Sequence, residues 1–264
     1  MVPMKMEAIK NTALSAVFKG GQILSSMVDS SFHIDRKGRI DLVTEADTAS
    51  EKAIIETLTR AFPDHDILAE ESGATEKKSP YRWVIDPLDG TTNFAHGLPL
   101  FSISIAFQAH GETCFGVVFN PVTNELFTAT KGEGAFLCGR SISVSDAPTL
   151  EESLLVTGFP YNAREILPGL MARFEACLDA AQGVRRLGSA ALDLCYLAAG
   201  RFDGFWEENL KAWDTAAGVL IAQEAGARVT GFSGETFTPG DAEMLATNGK
   251  IHNDMMTLLT TSTA

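Results

Sequence analysis

The sequence predicts a layered α/β protein with a functional site between two halves, and three observations carry that prediction. Apolar residues recur at helical spacing near the N-terminus, short β-rich runs follow from residue 66, and strands alternate with helices after about residue 150. At 264 residues, 45% of them hydrophobic, the chain can bury a substantial core. It has no low-complexity tract and no Ser/Gly/Pro linker, so one compact unit is expected, its halves falling at 1–145 and 146–264.

Residues 6–27, MEAIKNTALSAVFKGGQILSSM, predict an opening helix in which Gly20-Gly21 marks a weak point or a close contact. The stretch 50–62 predicts a second helix beginning beside Ser50 and stopped by Pro63. DILAEES, RWVID, SISIAF, TCFGVVFN and NELFTAT then read as strands of a mainly antiparallel sheet, and KGEGAFLCGRSISVS has the glycine punctuation of tight turns. In the second half SLLVTGF and FDGFWE read as strands, and NAREILPGLMARFEACLDAA, SAALDLCYLAAG and DTAAGVLIAQEAG as helices.

Composition narrows the function. No apolar run reaches the roughly 18 residues of a membrane span, and the first residues lack a secretory apolar core, so a cytosolic protein is expected. Cys114, Cys138, Cys177 and Cys195 form no C-x-x-C pair, which argues for structural thiols over a zinc site. A net charge of −13 disfavours direct nucleic-acid or anionic-membrane binding and suits cations, although acidity also serves plain solubility.

The stretch WVIDPLDGTTNF runs an apolar strand into Asp86 and Asp89, then into Gly90, Thr91 and Thr92. Asp-Pro and Asp-Gly alone signal a turn. Following a strand, however, Gly90-Thr91-Thr92 can open a short helix whose N–H groups attract an anion. Two carboxylates 4 Å apart repel by about 4 kcal/mol at an effective dielectric of 20, so an anion beside them calls for cations between. All-oxygen donors without histidine favour Mg²⁺. Glu70 and Glu71 are candidates to join them, or are solvated loop residues; Asp214 is a further candidate, or a helix N-cap. Asp41, Thr44 and Asp47 read as a cap region before a helix, and Ser189 as the N-cap of the helix 190–199.

Taken together, DLVTEAD, EES, WVIDPLDGTTNF, LGSAALDLCYLAAG and WDTAAG, in this order over residues 41–218, resemble the inositol monophosphatase family. The resemblance implies a five-layered αβαβα sandwich, a homodimer, and hydrolysis of a small phosphorylated polyol with two or three Mg²⁺ ions. It implies that Glu70, Asp86, Asp89, Asp214 and the Leu88 carbonyl are metal ligands. Thr91, bonded to Asp47, would orient and deprotonate the attacking water with Glu70. Substrate contacts would come from Asp89, Gly90, Thr91, Ala190, Glu207 and Asp214, although Glu207 also reads as the exposed end of a strand. Cys138 stands where many relatives have Asn in an N-G turn, and Arg36 and Lys37 lie where the family often has a mobile loop near the third metal. Relatives acting on fructose 1,6-bisphosphate, histidinol phosphate, adenosine 3′,5′-bisphosphate or NADP keep the substrate open. A regulatory partner of transcription or RNA-processing machinery is the non-enzymatic alternative.

Overall fold

In the computed structural model, which describes residues 6–28, 34–36 and 42–261, α1 (Met6–Met27) buries Ile9, Ala13, Ala16, Val17 and Leu24 along one stripe. Beside it α2 (Glu45–Ala61) buries Ala46, Ile54 and Leu58. Both stripes pack on one face of an eight-stranded sheet, against Trp83, Ile85, Ile103, Ile105, Phe107 and Val117. The Gly20-Gly21 pair marks a close approach and not a break: a Cβ at Gly20 would stand 2.8 Å from Ile103, and one at Gly21 2.6 Å from the Phe119 ring.

The large sheet is built from β3 (Asp66–Ala69), β4 (Gly73–Thr75), β5 (Tyr81–Asp89), β6 (Ser102–Ala109), β7 (Glu112–Asn120), β8 (Glu125–Thr130), β9 (Gly134–Leu137) and β10 (Arg140–Ile142). Its order is β10-β9-β8-β7-β6-β5-β3-β4, antiparallel throughout except for the parallel β3–β5 pair. Cys138 holds φ 48° and Gly139 φ 76° between β9 and β10, so the hairpin keeps a left-handed turn without the expected Asn. Before α2 a small ribbon pairs β1 (Ile34–Arg36) with β2 (Leu42–Thr44); Lys37 and Asp41 lie outside the described residues.

The second sheet, ordered β12-β11-β13-β15-β14, contains β11 (Leu154–Thr157), β12 (Gly183–Arg185), β13 (Gly204–Glu208), β14 (Arg228–Thr230) and β15 (Glu243–Thr247). β11 runs parallel to β12 and β13, while β15 is antiparallel to β13 and β14, so the second half is mixed and not a plain βα repeat. Between the sheets lie α5 (Ala190–Ala198) and α6 (Ala212–Glu224), almost wholly apolar because both flanks are covered. They pack on Val84, Ala106, Val118 and Phe127 of one sheet and on Val156, Phe205 and Ala246 of the other. The outer face of the small sheet, Leu155, Trp206 and Leu245, is covered by Cys177 of α4 (Leu167–Ala180) and by Met255 and Leu259 of α7 (His252–Thr261). The layers therefore run αβαβα.

Two helix boundaries differ from expectation. α2 starts five residues before Ser50: Thr44 caps it, accepting from the Ala46 and Asp47 N–H groups, while Asp47 accepts back from the Thr44 N–H. α4 starts at Leu167 and not near Asn162, with Pro168 in its first turn, where a missing N–H costs nothing.

Candidate active site

A regular strand would point residues three apart to opposite faces, yet Asp86 and Asp89 share one. In the β5–β6 pairing Asp86 lies opposite Ser104 and Asp89 opposite Ser102, three residues against two. This bulge shifts the alternation by one, so both aspartates follow Val84 toward the central helices while Leu88 turns into the core under α1 and α2. On the same face, Ser104 Oγ donates to the Trp213 carbonyl (3.3 Å) and Ser102 Oγ stands 3.5 Å from Ser189 Oγ. The Leu88 N–H donates to Asp86 (2.9 Å), which tightens the bulge.

Gly90 then reverses the chain with φ 95°, where a Cβ would meet the Leu100 carbonyl at 2.9 Å. It caps α3 (Thr91–Ala95), as the strand-to-helix reading predicts. Thr91 is buried, its hydroxyl 3.2 Å from Asp47 Oδ1 and 3.1 Å from the Leu88 carbonyl. Asp47 also accepts the Thr44 hydroxyl at 2.5 Å, so the capping box of α2 and the orientation of Thr91 share one carboxylate. Glu70 follows β3 directly; its N–H donates to the Ile85 carbonyl (3.2 Å), which continues the β3–β5 pairing and keeps Glu70 next to the aspartate strand.

The second half supplies the opposite wall. Asp214 is the third residue of α6 and not its N-cap: it accepts the Lys211 N–H at 2.6 Å and has a second oxygen to spare. Ser189 does cap α5, and its hydroxyl donates to Asp89 (2.5 Å) beside the Ala191 N–H (2.8 Å). Glu207, on β13, is buried and not an exposed strand end; its carboxylate fills the space a side chain at Gly158 would take. Glu70, Asp86, Leu88, Asp89, Gly90, Thr91, Ala190, Glu207 and Asp214 all line one cavity of about 310 Å³. Asp47 stands behind Thr91.

Burial dominates the electrostatics. Asp86 is held well above the usual carboxylate range by burial, then by Glu70, Asp89 and Asp214. Burial lifts Asp89 to about 6, and burial with the Asp89 charge lifts Asp214 to about 7. Glu207 reaches about 8 through burial and then Asp214, against a lowering pull from Arg186. Asp47 is raised by burial, opposed by its bonds from Thr44 and Thr91. Among the described residues no three His, Cys, Asp or Glu side chains close on one point, so the carboxylates line a cavity. That arrangement suits Mg²⁺, which takes one or two carboxylates and fills its octahedron with water and phosphate oxygens.

Sequence reasoning missed charged residues of this wall, Asp193 and Arg186 among them. Asp193 is 1% exposed on α5, and neither carboxylate oxygen meets a protein donor among the described residues. Its signal was one acid inside the otherwise apolar AALDLCYLA. Arg186 sets its guanidinium over the Phe159 ring (5.8 Å) at the edge of the cavity.

The sequence profile of the inositol monophosphatase family matches residues 5–263. The chain belongs to this family. It is 47% identical over 232 residues to a protein of Pasteurella multocida named Nus factor SuhB, spanning 87% of each chain. To the inositol-1-monophosphatase of Synechocystis it is 44% identical over 255 residues, 96% of this chain and 89% of the relative. The crystal structure of the extragenic suppressor protein suhB of Bartonella henselae superposes with a TM-score of 0.91 at 39% identity, covering 96% and 98% of the two chains. As an inositol monophosphatase family member the protein is a phosphatase, and the five-layered architecture expected from its motifs is the one observed. No described helix is long and apolar enough to cross a membrane.

Proposed function

We propose that this phosphatase is a Mg²⁺-dependent phosphomonoesterase acting on inositol monophosphate or a similar small polyol phosphate. The observation that carries the reading is the gathering, around one cavity, of four carboxylates, the Leu88 carbonyl in a strand bulge, and the polar groups of α3, α5 and β13. Glu70, Asp86, Asp89, Asp214 and the Leu88 carbonyl would hold two or three Mg²⁺ ions, whose chemistry is to acidify water and neutralise phosphoryl and leaving-group oxygens.

The chain's own residues do the rest. By donating toward Asp47, Thr91 keeps its lone pairs for the attacking water and so orients it, while Glu70 takes the water's proton. Asp89 is held by Ser189 and Ala191, which fixes its second oxygen toward the cavity. The N–H groups of Gly90 and Thr91 receive the phosphate, and Ala190 and Glu207 meet the alcohol. Glu207 offers its carboxyl group to the hydroxyls of that alcohol. Among the described residues Arg186 and Lys211 are the cations of the cavity wall and no basic cluster stands beside the motifs, which favours a monophosphate over a bisphosphate or dinucleotide.

Phosphate release across a substrate panel, with and without Mg²⁺ and Li⁺, tests this. Mg²⁺-dependent turnover of inositol 1-phosphate, inhibited by Li⁺, is expected; a rate unchanged by chelation would refute it. A homodimer in the cytosol belongs to the same proposal: Leu167, Met171 and Leu178 of α4 leave an exposed apolar row that a second subunit would cover. Light scattering on the purified protein checks the mass. The likeness to a relative named Nus factor supports a second role, as a partner of transcription or RNA-processing machinery. A pull-down at physiological salt tests it.

A further inference from the structure

α2 does more than cover the large sheet. Asp47, Ser50 and Glu51 stand at i, i+3 and i+4, on one helix face, and all three are buried. Each holds a different piece of the site. Asp47 takes the Thr91 hydroxyl, and Ser50 Oγ donates to the Pro87 carbonyl (2.9 Å) inside the β5 bulge. Glu51, 4% exposed, accepts the Glu71 N–H on one oxygen and the Ser72 N–H on the other, both at 2.9 Å.

Those two N–H groups belong to the residues directly after Glu70. The Glu70 N–H itself is bonded to the Ile85 carbonyl. The backbone is thus fixed on both sides of Glu70, and only its side-chain torsions remain to be set. A two-pronged bond from a buried carboxylate to successive N–H groups is a strong, charge-assisted contact. It ties the turn between β3 and β4 to α2 directly behind Glu70.

Resting on the metal-site reading above, we propose that Glu51 is a positioning residue for Glu70: it sets the direction of that carboxylate and thereby the affinity of the first Mg²⁺ position. Glu51 does not line the cavity. Its effect passes through the peptide that follows Glu70, as groups behind a metal ligand commonly act.

The test is calorimetric titration of the metal-free protein with Mn²⁺, beside the Mg²⁺ dependence of kcat and KM. Glu51→Gln keeps one acceptor and sets an NH₂ group against the second N–H; about 10-fold weaker Mn²⁺ binding is expected, with most of kcat recovered at saturating Mg²⁺. Glu51→Asp, which keeps the charge but withdraws it by one methylene, carries the same expectation and separates position from charge. Ile54→Val, a core change on the same helix, should lower stability while leaving Mn²⁺ affinity unchanged. The inference is overturned if the parent binds Mn²⁺ and folded Glu51→Gln and Glu51→Asp bind within about twofold of it. It is equally overturned if Ile54→Val loses as much affinity as they do. A parent protein that binds no Mn²⁺ overturns the proposed function and this inference with it.

Discussion

Replacing Glu207 by Gln should make the chelator-treated protein more stable at neutral and alkaline pH, by an amount the structure sets. Glu207 is 8% exposed, and its carboxyl is lifted from an ordinary 4.5 to about 8, first by burial and then by the Asp214 charge. A carboxyl raised on folding holds its proton longer in the native state than in the unfolded chain. Stability is therefore fully present below about pH 4.5 and lost as pH rises through about 8. Integrated over that interval, the loss is about 3 kcal/mol at pH 7 and about 5 kcal/mol at pH 9. Glutamine carries no such proton, so parent and variant should match near pH 4 and diverge by those amounts above it. Urea unfolding followed by circular dichroism, in chelator at a series of pH values, measures the difference. Parallel pH profiles for the two proteins would refute the claim that Glu207 is buried among like charges.

Three further perturbations follow. Asp89→Asn should abolish Mg²⁺-dependent phosphate release while keeping the fold, because an amide oxygen still accepts from Ser189 and Ala191; near-parental turnover would remove Asp89 from the mechanism. Thr91→Ala deletes the hydroxyl between Asp47 and Leu88 and should lower kcat by about 10²–10⁴-fold with Mn²⁺ affinity little changed, read by single-turnover kinetics and calorimetry. Gly21→Ala forces a methyl within 2.6 Å of Phe119 and should cost about 1–3 kcal/mol in a urea titration without altering KM.

The elements most legible in the sequence are those whose burial follows one period. The α1 stripe predicts its helix residue for residue, and the strands β3 and β5 to β8 lie where alternation sets them, while β9 and β10 fall in the stretch whose glycines signal tight turns. β12 and β14, at three residues each, are too short to show a period, and β15 and α7 went unread with them. The start of α2 was misplaced because Asp47 reads as a cap from outside the helix, whereas it caps from within as the third helical residue. Of the site, the motifs named the residues but not how they meet. Asp86 and Asp89 share a face only because β6 opposes them with one residue fewer, which is a property of the pairing and not of the strand. Asp193 escaped because its surroundings are supplied by other parts of the chain.

The irregularity in β5 ties the chemistry of this protein to a defect in its central ladder. Were β6 to gain one residue between Ser102 and Ser104, the pairing with β5 would become ideal and the second acid, still three residues from the first, would rotate into the hydrophobic packing beneath α1 and α2. On the proposed reading of Asp89, that smoother sheet would be an inert one.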